Sequence, residues 1–122
     1  MSKLLGSDEG LSVEISRRGL EVTLSLCGAL DAPGAERLGQ AFDSLQLFGE
    51  TPLLLDLSQL TFIDSAGLRA VLRIYGRCLK HRHELQIAPA PPNVQRVFAL
   101  TKAADVLPFS GESRTGPVLA VA

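Results

Sequence analysis

The chain has 122 residues, 46% of them hydrophobic and 20% charged, and its 12 basic and 13 acidic side chains leave a formal charge of −1. That length suits one hydrophobic core without room for a second domain, and the composition excludes a disordered chain and a disulfide-built mini-protein. The balanced charge excludes a phosphate-backbone binder, so no direct nucleic-acid partner is expected; no apolar run nears the roughly 20 residues of a bilayer span, and residues 1–10 lack an apolar signal core, which predicts a cytoplasmic protein.

Residues 1–10 are read as a flexible N-terminus, with the folded domain over 11–109. Leu11, Val13 and Ile15 alternate with Ser12, Glu14 and Ser16, and after Arg18-Gly19 the alternation resumes at Leu20, Val22, Leu24 and Leu26. Period two on both sides of a glycine turn predicts a hairpin with one apolar face. Asp31 can cap a following helix, with Pro33 tolerated in the first turn and Glu36 near the positive end of the dipole. Ala35, Leu38, Ala41, Phe42, Leu45 and Phe48 carry its apolar face, and Gly49 is the expected stop.

Residues 52–57, Pro-Leu-Leu-Leu-Asp-Leu, read as a central strand buried on both faces, followed by a connection over 58–61. Leu68, Val71, Leu72, Tyr75, Cys78 and Leu79 then repeat at helical spacing, which predicts a second helix starting near Ser65. Leu85 and Ile87 mark another strand, Val94, Val97 and Phe98 a third helix, and Val106-Leu107-Pro108-Phe109 an edge strand. Strands alternating with helices imply parallel crossovers, so the expected fold class is α/β: a small mixed sheet with an N-terminal antiparallel hairpin, then parallel strands, packed by amphipathic helices. The tail 110–122 is rich in small residues and reads equally as frayed or as a short terminal element. Cys27 and Cys78 fall outside any Cys-x-x-Cys spacing, so two reduced, mostly buried thiols are expected, without a redox pair or zinc site.

The strand-to-helix junction Phe62-Ile63-Asp64-Ser65-Ala66-Gly67-Leu68 is the most informative stretch. A serine there is first of all a helix N-cap, worth ~1 kcal/mol over alanine. The junction also lies at the carboxyl end of a parallel strand, where open α/β sheets place functional surfaces, and a helix N-terminus receives anions well. Gly67 costs helix stability and is read as giving another surface close access to the backbone.

Three stretches together resemble the STAS domain, the fold of bacterial anti-sigma factor antagonists: Gly28-Ala29-Leu30-Asp31, Leu53-Leu54-Leu55-Asp56-Leu57-Ser58, and Leu60-Thr61-Phe62-Ile63-Asp64-Ser65-Ala66-Gly67-Leu68. With Val97-Phe98-Ala99-Leu100-Thr101, the resemblance covers about residues 11 to 109. It implies that Ser65 is a phosphoacceptor for a partner that is both an anti-sigma factor and an ATP-dependent serine kinase of the histidine-kinase-like ATPase fold. It further implies a protein serine phosphatase that resets the switch, a sigma factor released by the unphosphorylated form, and no enzymatic activity, cofactor or metal of the chain's own. The partner-binding set expected around this junction is Asp31, Phe62, Asp64, Ser65, Ala66 and Gly67, with Arg69 and Arg73 added from the charged face of the following helix. Pro33-Gly34 is less regular than the family's usual sequence at that place. A module of the same fold in a transporter or a stress-signalling assembly, without a phosphoswitch, is the competing reading.

A hydrolase reading fails on the sequence, because a nucleophile elbow needs glycine two before the serine and Ile63 stands there. His81 and His83 lie roughly four helical turns beyond Ser65, too far to act on it as a base, and read as surface residues complementing the helix dipole. Arg69, Arg73 and Arg77 recur every four residues opposite the apolar stripe, with Lys80 beside them. They read as a solvated face or as a basic ridge that steers an acidic partner toward Ser65.

Overall fold

The computed structural model describes residues 10–45, 47 and 51–110, together with the backbone of residues 2–6. The predicted hairpin forms from β2 (Ser12–Arg18) and β3 (Glu21–Leu30), closed by the Arg18↔Glu21 pair around Gly19, whose φ of +61° matches the twist of a tight hairpin turn. Residues 1–10, expected as a flexible extension, instead contribute the edge strand β1 (Ser2–Gly6), paired antiparallel with β2. Beyond β3 come α1 (Ala32–Ser44), β4 (Leu53–Ile63), α2 (Ser65–His81), β5 (Leu85–Ala88) and α3 (Pro92–Leu100). The strand order is β1-β2-β3-β4-β5, antiparallel as far as β3 and parallel from β3 to β5, which makes the sheet mixed as expected.

The alternation of the sequence divides the sheet into two unlike faces. Val13, Ile15, Val22, Leu24, Leu26, Leu53, Leu55, Leu57, Leu85 and Ile87 are buried in one cluster with Leu38, Ala41 and Phe42 of α1, Val71, Ile74 and Cys78 of α2, and Val94 and Phe98 of α3. The other face carries Ser12, Glu14, Ser16, Thr23, Ser25, Leu54, Asp56 and Gln86, none of them buried. Among the described residues helices cover one side only, so β4 is not the doubly buried strand that its apolar run suggested; Leu54 and Asp56 belong to the open face. Cys27, expected to be mostly buried, is exposed on that same face opposite Ser12, whereas Cys78 is buried.

Three other expectations are revised. β4 does not end at residue 57: it runs on to Ile63 through two register shifts against β3, and the Asp56 carboxylate accepts a hydrogen bond from the Ser58 amide (2.9 Å) beside the first of them. The supposed connection over 58–61 is therefore bulged strand, with Leu60 still buried. Helix α1 ends at Ser44, because Leu45 turns to an extended conformation and its amide donates to the Phe42 carbonyl; Phe48 and the expected stop at Gly49 lie outside the described residues. The predicted edge strand near the C-terminus shrinks to one bridge, Ile87↔Phe109, after a 3-10 turn (Ala103–Asp105). Phe109 packs edge-on to Phe98 with ring centroids 5.2 Å apart. Apart from Ser110, the C-terminal tail lies outside the described residues.

Two glycines in α2 separate packing from propensity. A Cβ at Gly67 would stand 2.1 Å from the Leu30 carbonyl oxygen, whereas one at Gly76 would meet nothing within 4 Å. Gly76→Ala is therefore expected to raise unfolding stability by about 0.5–1 kcal/mol, and Gly67→Ala to lower it by more than about 2 kcal/mol, both read from urea denaturation midpoints.

Burial pushes the Cys78 thiol from its ordinary value of 9.0 up to about 11, against a smaller opposing pull from Arg77. A raised folded-state pKa gives stability that is complete below about pH 9 and is lost as pH climbs toward 11, on the order of 2 kcal/mol. Cys78→Ala should remove that part of the alkaline loss when the two proteins are unfolded in urea across this range.

Candidate functional site

The two parallel central strands end side by side. Leu30 of β3 pairs with Ile63 of β4, each strand is followed by one aspartate, and each aspartate opens a helix. Asp31 caps α1 by accepting from the Gly34 amide at 2.9 Å, and Asp64 caps α2 by accepting from the Gly67 amide at 3.1 Å. Their own carbonyls accept the first helical bonds, from Ala35 (2.6 Å) and Leu68 (2.9 Å). The junctions are also tied to each other, since the Asp64 amide donates to the Leu30 carbonyl at 3.4 Å.

Both helices use the same four-residue device, Asp-x-x-Gly, at 31–34 and 64–67. The glycines are needed because the first turn of each helix rests on the end of β3: a Cβ at Gly34 would lie 2.5 Å from the Ala29 carbonyl, as one at Gly67 would crowd that of Leu30. Gly67 is buried against its own chain. The surface that comes close to its backbone is the end of β3.

Ser65 is likewise not the N-cap. The cap is Asp64, in extended conformation (φ −125°, ψ −170°), and Ser65 is the first residue of the helix proper. Its side chain is exposed and makes no hydrogen bond to any described residue. The aspartate wins the capping position because its carboxylate satisfies the Gly67 amide from one residue earlier, which leaves the serine hydroxyl uncommitted. Around it, Phe62 is 48% exposed, Ala66 is half-buried, and Asp31 and Asp64 are half-buried with their caps made. The structure thus brings Asp31, Phe62, Asp64, Ser65 and Ala66 together at one end of the sheet.

The basic ridge divides. Arg77 is committed to α1, with its Nη1 3.0 Å from Asp43 Oδ1 and its guanidinium 5.2 Å from the centre of the Phe42 ring. This pair is well exposed, so it orients α1 against α2 more than it stabilises them. Arg73 borders a narrow crevice of about 50 Å³ between the two helices with Gly39, Phe42 and Ile74. Arg69 lies on the exposed face, one turn from Ser65. Neither Arg69 nor Arg73 has a hydrogen bond or ion pair with a described residue.

The histidines occupy the opposite end of α2, a helix of 17 residues and so about 25 Å long. Their ring centroids are 6.2 Å apart, and they border an open cavity of about 210 Å³ with Phe42, Asp43 and Arg77. His81 is exposed, but His83 is half-buried with an unpartnered Nδ1, so only His81 is the plain surface residue expected of both. Among the described residues no group of three His, Cys, Asp or Glu could hold a metal, and no helix is long and apolar enough to cross a membrane.

The reassigned cap leads to a direct expectation. Asp64→Ala should cost about 1 kcal/mol in urea denaturation, whereas Ser65→Ala should cost less than about 0.5 kcal/mol; equal losses would restore the cap to Ser65.

The comparisons with known proteins follow the same outline. The family described as "Mlab, STAS domain" matches residues 13–108. A putative anti-sigma factor antagonist of Bordetella bronchiseptica is 31% identical over 85 residues, covering 70% of this chain and 73% of that one. Among solved structures, a putative anti-sigma factor antagonist from Thermotoga maritima superposes with a TM-score of 0.69 at 21% identity, covering 81% of this chain and 86% of the other. A sulfate transporter family protein from Wolinella succinogenes superposes at 0.66 with 14% identity over 77% and 79% of the two chains, a likeness of fold alone. With the mixed sheet, the paired Asp-capped helices and a family match across nearly the whole described domain, this chain belongs to the STAS domain family, of the anti-sigma factor antagonist type.

Proposed function

We propose that this protein is an anti-sigma factor antagonist that binds its anti-sigma factor when Ser65 is unmodified, so that a sigma factor is released, and that phosphorylation of Ser65 switches it off. The observation that carries the reading is the uncommitted, exposed Ser65 hydroxyl beside a cap that Asp64 already completes. A phosphoryl group can be added there without breaking any bond that holds the helix.

In this reading the anti-sigma factor is also a serine kinase of the histidine-kinase-like ATPase fold. The Ser65 Oγ attacks the γ-phosphorus of ATP, an O–P bond forms as the bond to the β-phosphate oxygen breaks, and the hydroxyl proton leaves to a base of the kinase or to water. ADP departs, and a protein serine phosphatase later hydrolyses the ester to restore the hydroxyl. The chain itself supplies an acceptor and a docking face, and no catalytic group. Phe62, the only exposed large apolar side chain at this end among the described residues, is the natural apolar anchor of that face, with Asp31, Asp64 and Ala66 around it and Arg69 and Arg73 along one flank. Gly67 serves the same face indirectly, by letting α2 settle onto β3.

Switching then follows from desolvation. A phosphate adds about −1.5 to −2 charges next to the Asp64 carboxylate. In the free protein, water and the helix N-terminus solvate that charge. A partner lying flat over Phe62 and Ser65 would have to strip the water away, and a penalty of ~3 kcal/mol lowers affinity about a hundredfold.

The phosphorylated and unmodified proteins should therefore give superimposable circular-dichroism spectra and differ about a hundredfold in affinity for the anti-sigma factor. Unfolding on phosphorylation, or equal binding, would refute the switch. In pull-downs from the native host, wild type and Ser65→Ala should recover a serine-kinase anti-sigma factor and Ser65→Glu should lose it. A transporter ATPase retained equally by all three would assign the chain to a module without a phosphoswitch.

A further inference from the structure

Three features of α2 converge on Arg69. It lies four residues after Ser65, so the two side chains are neighbours on one face with Cβ atoms about 5–6 Å apart. Side chains on a helix lean toward its N-terminus, which tips Arg69 back over the turn that carries Ser65. Both residues are exposed, and Arg69 has no partner among the described residues.

The nearby alternatives are already engaged or out of reach. The Asp64 carboxylate faces the Gly67 amide as the cap of α2, and Arg77 is held by Asp43. Arg73 lies eight residues from Ser65, about 12 Å along the axis. The helix begins with no acidic side chain in its first turn to compete for Arg69. Its polarity is the favourable one for an exposed ion pair, with the anion N-terminal to the cation.

We propose that Arg69 is the intramolecular partner of a phosphate on Ser65, gripping it across one helical turn through a charge-assisted hydrogen bond. The inference rests on the reading of Ser65 as a phosphoacceptor and adds the residue that positions the modified group. The Asp64 carboxylate repels the phosphate from the cap side, and the Arg69 guanidinium receives it on the other, with a planar fork suited to two phosphate oxygens. Phosphorylation then changes the docking face twice. It adds negative charge at Ser65 and withdraws the positive charge of Arg69 from any acidic group of the partner. The pair also favours the dianionic phosphate over the monoanion.

The test uses the full chain carrying phosphoserine installed at position 65 during translation, so that no kinase is needed. The phosphate is titrated by phosphorus-31 NMR, and circular dichroism checks the fold of every variant. Phosphoserine loses its second proton near pH 6. The midpoint in the parent protein should lie about 0.3 pH unit below that of Arg69→Ala, the size that an exposed ion pair four residues apart gives. Arg69→Lys should recover part of the difference, and Arg73→Ala should leave the midpoint where it is in the parent. An Arg69→Ala midpoint equal to the parent's overturns the proposal, as does an equal shift from Arg73→Ala, which would mark the general field of the helix face. Partner binding is scored separately: if the phosphorylated chain still binds its anti-sigma factor, the switch fails while the titration continues to report the Ser65–Arg69 pair.

Discussion

The parallel pairing of β3 with β4 places everything that matters at this site. Because Leu30 and Ile63 are register partners, the two strands release their helices at the same height, and the first turns of α1 and α2 both come to rest on the end of β3. Contact that close is possible only where a residue has no side chain, and the chain supplies Gly34 and Gly67 at the two points where the carbonyls of Ala29 and Leu30 would meet a Cβ. The caps follow from the same geometry. A single residue separates each strand from its helix, so one aspartate must leave the sheet in extended conformation and satisfy a helical amide, and Asp31 and Asp64 do so in the same way.

That arrangement decides the chemistry open to Ser65. A serine acting as the N-cap would lose a hydrogen bond on modification, and phosphorylation would then alter the helix start. With Asp64 in that role, Ser65 stands at the first helical position with its hydroxyl in solvent. The cap and the uncommitted hydroxyl thereby fall to adjacent residues instead of competing for one. In the switch we propose, the helix dipole and Arg69 would face an added phosphate from the helix side, while Asp64 would make its burial by a partner more costly.

The far end of the same helices is built differently. There the exposed Arg77–Asp43 pair and the guanidinium over Phe42 bridge α1 and α2 beside an open cavity that reaches His81 and His83. The open face of the sheet is polar, with Glu14, Ser25, Asp56 and Gln86 along it, so one helical layer is enough to bury the apolar surface of the strands. At the Ser65 end, Gly34 and Gly67 let the two helices rest directly on the end of β3.

Sequence alone determined the types of the elements from β2 to α3, the mixed sheet and the position of the junction, because period-two and period-3.6 patterns are local records of which face is buried. The Asp-x-x-Gly repeat at 31–34 and 64–67 was legible too, and it is the clue that could have identified both caps. Which residue of Asp64-Ser65 does the capping depends on where the helix starts relative to the end of β4, and the two bulges that carry β4 on to Ile63 settle that through its pairing with β3. The role of Gly67 was equally hidden, since the carbonyl that requires it belongs to Leu30, more than thirty residues away in the chain. Local periodicity records burial but not register. Only the tertiary pairing of β3 and β4 made Gly67 a packing residue, Asp64 the cap, and Ser65 the free hydroxyl between them.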